Sequence, residues 1–187
     1  MVLKPEPVVE AVEEITRTEA AHLILLTPQG RTLTQERVEG LAAHGRLLFL
    51  CGRYEGMDER IRLALHPEEI SIGDYVLTGG EVPALVVIDA VVRLLPGVLG
   101  DGESARQESF TTGILDHPHY TRPAVFRGMS VPEVLLSGDH EAIRRWRRRE
   151  ALRQTRRRRP DLLARVPLSR EDETLLREIE DEEQGTG

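Results

Sequence analysis

The chain has 187 residues, 40% apolar but only 4% aromatic, enough for one large domain or a domain with an appendage around a core of Val, Leu, Ile and Ala. Its single cysteine, Cys51, excludes an intramolecular disulfide framework. No apolar run approaches the length of a membrane span and no signal-peptide pattern is seen, so a soluble cytoplasmic protein is expected. The net charge of −7 hides an asymmetry: residues 142–159 hold ten arginines and one acid, and residues 171–183 hold eight acids and one base, so the local field decides whether a polyanion can bind.

The first elements alternate between helix and strand. Val8, Ala11, Val12 and Ile15 repeat at helical spacing behind Pro7, which predicts a helix over 7–20. Leu23–Leu26 reads as a short buried strand. A helix follows over Thr34–His44, with Thr34 as its cap and Gly45 as its stop. Leu47–Leu50 is a second buried strand, Asp58–Leu65 a short helix with Ile61 and Leu65 on one face, and Ile70–Ile72 a third strand. Glu81–Arg93 is apolar nearly all round, which places it in the core or at a subunit interface, and Pro96 and Gly97 end it.

Residues 100–109 lack apolar periodicity and read as a linker. Beyond them, Ser130-x-x-Glu133 predicts a capping box that opens a short helix stopped by Gly138. Asp139 caps the arginine-rich helix. Ser169-x-x-Asp172 opens a last helix carrying Leu175, Leu176 and Ile179, and residues after Glu180 are expected to fray. The alternation predicts an α/β fold with a parallel sheet over residues 1–99, a linker over 100–113 and a small all-α domain over 114–187. Three strands are few for a free-standing sheet of this kind.

Three glycine-bearing turns follow the three strand-like runs: LLTPQG at 25–30, LCGRYEG at 50–56 and ISIGDYVLTGGE at 70–81. Segments leaving the carboxyl ends of parallel strands build the ligand crevice, and glycine lets main-chain amides approach a ligand closely. Neither G-x-G-x-x-G nor the Walker pattern occurs, which counts against a dinucleotide site or a phosphate cradle. An adenosine-like molecule held by main-chain hydrogen bonds is the better expectation.

These runs, with LDHPHYTRP and VPEVLLSGDHEAIRRWRR, resemble the bacterial tRNA (guanine-N1)-methyltransferases of the SPOUT class, from Val2 to about Leu163. The resemblance implies a trefoil-knotted α/β domain, S-adenosylmethionine as methyl donor, an assisting Mg²⁺ and a homodimer. It implies tRNA as partner, with no DNA and no membrane, and methylation of N1 of the guanine just 3′ of the anticodon. Carried over by motif, the cofactor would meet Leu26, Thr27 and Pro28; Gly52, Tyr54 and Glu55; and Ile72, Gly73, Asp74, Tyr75, Val76 and Leu77, with Gly79, Gly80 and Pro83 closing the pocket.

Two residues are implied for chemistry. Arg93 would polarise guanine O6 as negative charge develops there, although Asp89 four residues earlier could instead hold it in an ordinary ion pair. Glu108 would take the proton from N1, which is a poor nucleophile until that proton leaves. The family pattern at this point is an aspartate before Ser-Phe; here it is Glu108-Ser109-Phe110, with Asp101 and Glu103 as the nearby alternatives. Ser104, His119 and Tyr120 would contact the substrate. The run from Arg144 through Arg149 lies on a helix whose Ile143 and Trp146 face inward. That leaves Arg144, Arg145 and Arg148 solvated for a polyanion. His117 and His119 are spaced like metal ligands, but with no second Cys/His group no metal is expected. Relatives carry a further amino-terminal strand and glycine-rich loop before the point matching Met1. A chain lacking them could be weakly active, or a tRNA-binding remnant without turnover.

Overall fold

A computed structural model of the chain describes residues 1–53, 55–98 and 108–185. They fall into two compact units, Met1–Gly102 and Glu103–Gly187.

The first unit runs α1 (Pro5–Thr16), β1 (His22–Thr32), α2 (Gln35–Ala42), β2 (Leu47–Cys51), α3 (Glu59–Leu65), β3 (Glu68–Ser71) and α4 (Glu81–Val92). Its sheet is parallel, in the order β2-β1-β3. Ile24 and Leu26 of β1 face one way and meet Val38 and Leu41 of α2, Ile70 of β3, and Ala84, Val87 and Val91 of α4 in one core. The helix starts have local causes. Pro5 occupies the first turn of α1, where its missing N–H costs nothing, so the helix begins before Pro7 and ends at Thr16. The Thr34 hydroxyl accepts from the Arg37 N–H at 3.4 Å, and the Asp58 carboxylate accepts from the Arg60 N–H at 2.9 Å.

β1 is much longer than the four-residue strand expected. Leu26 and Arg31 both lie opposite Ile70, so residues 27–30 bulge out of the strand and the chain then resumes the same ladder. The bulge depends on Gly30: a Cβ there would stand 2.4 Å from Ile70 N and 2.5 Å from Glu69 C. α4 buries only Ala84, Val87 and Val91, while Val82 (59% exposed), Leu85 (64%), Val86, Ile88 and Val92 face outward.

The second unit is not purely helical. Val125–Phe126 (β4) and Met129–Ser130 (β5) pair as an antiparallel hairpin. Its two central residues, Arg127 and Gly128, both have positive φ (51° and 79°), as a tight two-residue hairpin turn requires. Ser130 is therefore in a strand, and the next turn, a 3-10 helix over Glu133–Leu136, starts from Pro132 with no side-chain cap. α5 (His140–Arg158), α6 (Pro160–Leu163) and α7 (Arg170–Gly185) follow. Asp139 caps α5 by accepting from the Glu141 and Ala142 N–H groups. The capping box expected at Ser169 forms: Ser169 Oγ accepts from Asp172 N, and Asp172 Oδ2 accepts from Ser169 N and Oγ. Ile114, Ala151, Leu152, Leu175 and Ile179 make the core of this unit.

Candidate functional site

In the first unit a cavity of about 450 Å³ opens where the three glycine-bearing segments meet. Leu26, Thr27 and Pro28 reach it from the β1 bulge, and Gly52 and Glu55 from the turn after β2. Ile72, Gly73, Tyr75, Val76, Leu77, Gly79, Gly80 and Pro83 reach it from the segment between β3 and α4. Asp74 is not among the lining residues, and Tyr54 lies outside the described residues.

Several of its walls meet through main chain. Gly80 N–H donates to Gly52 O at 3.0 Å, and a Cβ on Gly80 would stand 2.7 Å from Cys51 Cα. Arg53 and Gly79 form an isolated antiparallel bridge. The Ser71 hydroxyl donates to Gly73 O and accepts from Gly73 N–H, which fixes the sharp turn where φ at Gly73 is 148°. Pro83 sits in the first turn of α4, where helix N–H groups have no intrahelical partner.

Sequence reasoning missed the side chains on this cavity. Gln29, Arg53, Met57, Asp58, Glu59, Arg62, Glu69 and Thr78 also line it. Arg53 Nε donates to Glu81 Oε1 at 2.7 Å; that bond holds the Glu81 carboxyl below its ordinary range. Burial, and then Glu81, pushes the nearby Cys51 thiol up. The only available signal was Arg53 following Gly52 in the turn.

Arg93 is the half-buried C-cap of α4, its N–H donating to Asp89 O at 3.3 Å. Glu108 belongs to the second unit, half-buried at the head of a turn rather than in a free linker. Phe110 N–H donates to Ile114 O at 2.8 Å, and the Ser109 hydroxyl accepts from Asp116 N–H at 2.9 Å. Ser104, Asp101 and Glu103 lie outside the described residues.

The arginine helix departs most from expectation. Arg144, Arg145 and Arg148 are not simply solvated; each is paired with an acid of α7. Arg144 bonds Glu171, Arg145 bonds Glu178, and Arg148 grips Asp172 through two hydrogen bonds of 2.6 and 2.9 Å. Arg149 and Arg153 continue the ladder to Glu182, and Arg156 reaches Glu183 at 2.7 Å, so α7 stays helical to Gly185 instead of fraying after Glu180. The arginines do repel one another, but the acids that relieve them come from the same chain. Asp172 is 3% exposed; the Arg148 bonds outweigh burial and hold its carboxyl at about 2. Among the described residues Arg147, Arg157 and Arg158 of α5 enter no ion pair.

His117, His119 and Tyr120 line a second cavity, about 350 Å³, with Arg122, Arg147 and Ile143. Trp146 packs edge-on to His117 and tilted to Tyr120, at 6.5 and 6.1 Å between ring centroids. Asp116, which the sequence did not single out, stands between the two histidines, 2.5 Å from His117 Nδ1 and 2.9 Å from His119 Nε2. Burial raises its carboxyl, but the histidine hydrogen bonds win and hold it below the usual range.

Residues 1–165 match the family model described as tRNA (Guanine-1)-methyltransferase TrmD. A tRNA (guanine-N(1)-)-methyltransferase of Dehalococcoides mccartyi is 58% identical over 189 residues, covering 100% of this chain and 76% of that protein. Those of Moorella thermoacetica and Bacillus subtilis are 61% and 55% identical, covering 96% and 97% of this chain and 73% and 76% of their own lengths.

Proposed function

This chain belongs to the tRNA (guanine-1)-methyltransferase family TrmD, and on that premise we propose that it transfers a methyl group from S-adenosylmethionine to N1 of the guanine just 3′ of the anticodon of tRNA. The observation that carries the reading is the main-chain cavity between the β1 bulge, Gly52 and Gly80. Its size suits a small-molecule ligand. Its amides and carbonyls match the hydrogen-bonding edges of adenine without charge. Glu55 on its lining suits a ligand that carries positive charge, whereas Asp58 and Glu59 there are already paired with Arg60 and Arg62. Leu26, Thr27, Pro28, Gly52, Ile72, Gly73, Tyr75, Val76, Leu77, Gly79 and Gly80 would hold the nucleoside, in the trefoil-knotted arrangement of the class. Bound there, S-adenosylmethionine supplies a methyl group on a positively charged sulfur that leaves with the bonding pair.

Glu108 takes the N1 proton as general base, from a turn pinned by Ser109 and Phe110. Arg93 stabilises the negative charge that develops on O6. The basic contacts to tRNA begin at Arg147, Arg157 and Arg158; Arg144, Arg145 and Arg148 join only by giving up their α7 carboxylates. His119 and Tyr120 sit on the second cavity as substrate contacts. The outward apolar face of α4 (Val82, Leu85, Val86, Ile88, Val92) is covered by a second copy of the chain in a cytoplasmic homodimer. Mg²⁺ takes an all-oxygen octahedron. Among the described residues the one cluster with three candidate ligand atoms carries two imidazoles, which does not fit it.

Single-turnover transfer to guanine-bearing tRNA, read by mass spectrometry of the nucleosides, tests the reading. N1-methylguanosine should form, and Glu108→Gln should slow transfer by about 10²–10⁴-fold while leaving S-adenosylmethionine affinity unchanged. Unslowed transfer by Glu108→Gln removes the assigned base. tRNA binding without any transfer would leave only a binding protein.

A further inference from the structure

We infer that Asp116, His117 and His119 form a site for one borderline divalent transition-metal ion, of the zinc, nickel or copper class. The three residues each offer a ligand atom, and those atoms lie within 4.8 Å of one another. The carboxylate stands between two imidazoles whose centroids are 4.5 Å apart, with Oδ1 near His117 Nδ1 and Oδ2 near His119 Nε2.

Much of the site is fixed in advance. Asp116 N–H donates to the Ser109 hydroxyl at 2.9 Å, and Asp116 Oδ1 accepts the His117 backbone N–H at 2.7 Å. Trp146 packs edge-on against the His117 ring. Pro118 between the histidines restricts the backbone that separates them. His119, with its side chain 72% exposed, is the ligand freest to turn, and the 2.5 Å contact between His117 Nδ1 and Asp116 Oδ1 must open for both atoms to reach one ion.

The donor set selects the metal. Neutral imidazole with carboxylate suits Zn²⁺, Ni²⁺ and Cu²⁺, whereas Mg²⁺ takes oxygen ligands. Three protein ligands leave a coordination position open, as in sites that exchange a bound ligand. His117 and His119 also line the cavity that carries Arg122 and Arg147, so an anionic oxygen is the group suited to complete the shell. The ring N–H groups that now face Asp116 would have to move to the far ring nitrogens for the imidazoles to bind an ion. A search for a second Cys/His group misses this site because its third ligand is a carboxylate adjacent in sequence.

The test uses the full chain and Zn²⁺ alone, by calorimetry with a competing chelator. One ion per chain should bind, and excess Mg²⁺ should not displace it. His119→Ala, which trims an exposed ring, should weaken Zn²⁺ binding at least about tenfold, the scale on which even outer-sphere partners of a metal act. Cu²⁺ paramagnetic resonance should show two nitrogen ligands, reduced to one in that variant. Unchanged Zn²⁺ affinity in His119→Ala overturns the site. So does loss of binding in His22→Ala instead, which would place the ion at the stacked His22–His44 pair.

Discussion

Around the first cavity glycines stand directly against other main chain: Gly80 against Cys51, and Gly30 against Ile70 and Glu69. In the second unit the tightest contacts are between charged side chains, Arg148 on Asp172 and the ladder beside it. Main-chain packing has almost no slack, because a backbone cannot swing aside as a side chain can. Ion pairs between long side chains have much slack, and water replaces most of what one of them contributes. At Gly30 and Gly80 the first unit should therefore fail on the addition of one carbon atom, whereas the second should tolerate the loss of single charges except at its one buried acid.

The largest expected effect tests the first half of that contrast. Gly30→Ala forces a Cβ to within 2.4 Å of Ile70 N, so either the β1 bulge or the β3 ladder must open. Overpacking against a backbone that cannot yield should cost about 3 kcal/mol or more. The chain's single tryptophan, Trp146, lies in the second unit, so the two units can be followed separately. Circular dichroism on denaturation should show an early transition while Trp146 fluorescence holds. A simultaneous shift of both signals would break the comparison by showing that the units unfold together.

The same contrast decides what was legible in the sequence. Glycine is readable in a sequence, and TPQG, CGRYEG and the double glycine before α4 all supply residues that line the cavity. The bulge in β1 was not legible, because it consists in Leu26 and Arg31 sharing Ile70, a partner about forty residues away in sequence. Nor was the arginine ladder: Arg148 and Asp172 each look like solvated charges until their helices are placed side by side. The hairpin at Phe126-Arg127-Gly128-Met129 carried a readable signal, glycine in a two-residue turn between Phe126 and Met129, which the capping-box reading of Ser130 obscured.

Next in size is Asp172, the exception within the second unit. Asp172→Asn leaves the Arg148 guanidinium without its bidentate acceptor and weakens the Ser169 box, a loss of roughly 1.5–3 kcal/mol. Trp146 fluorescence should report it. The pH dependence follows from the same bonds. The folded carboxyl titrates at about 2, below its ordinary 3.8, so its contribution is present above about pH 4 and is lost as pH falls toward 2. Acid titration of Trp146 fluorescence should lose that step in Asp172→Asn.

A smaller change of opposite sign sharpens the case for the first unit. Gly40 lies inside α2, and a Cβ there would meet nothing within 4 Å. Gly40→Ala should stabilise the chain by about 0.5–1 kcal/mol through helix propensity alone. Measured beside Gly30→Ala, it separates the effect of a methyl group from the effect of where it is placed.

The smallest effect belongs to the outer rungs of the ladder. Arg145 and Glu178 are both more than two-fifths exposed, so Glu178→Gln should cost less than about 0.5 kcal/mol, within the range of exposed pairs. The same substitution should be plain in binding. Releasing Arg145 from its carboxylate adds a guanidinium to the set available for phosphate, so tRNA affinity should rise at low salt. The logarithmic salt slope should steepen by up to about one phosphate contact. Filter binding across a salt series measures this. A slope unchanged from the parent chain, with stability also unchanged, would mean that the α5 face beside α7 does not meet the nucleic acid, and that Arg147, Arg157 and Arg158 carry the phosphate contacts alone.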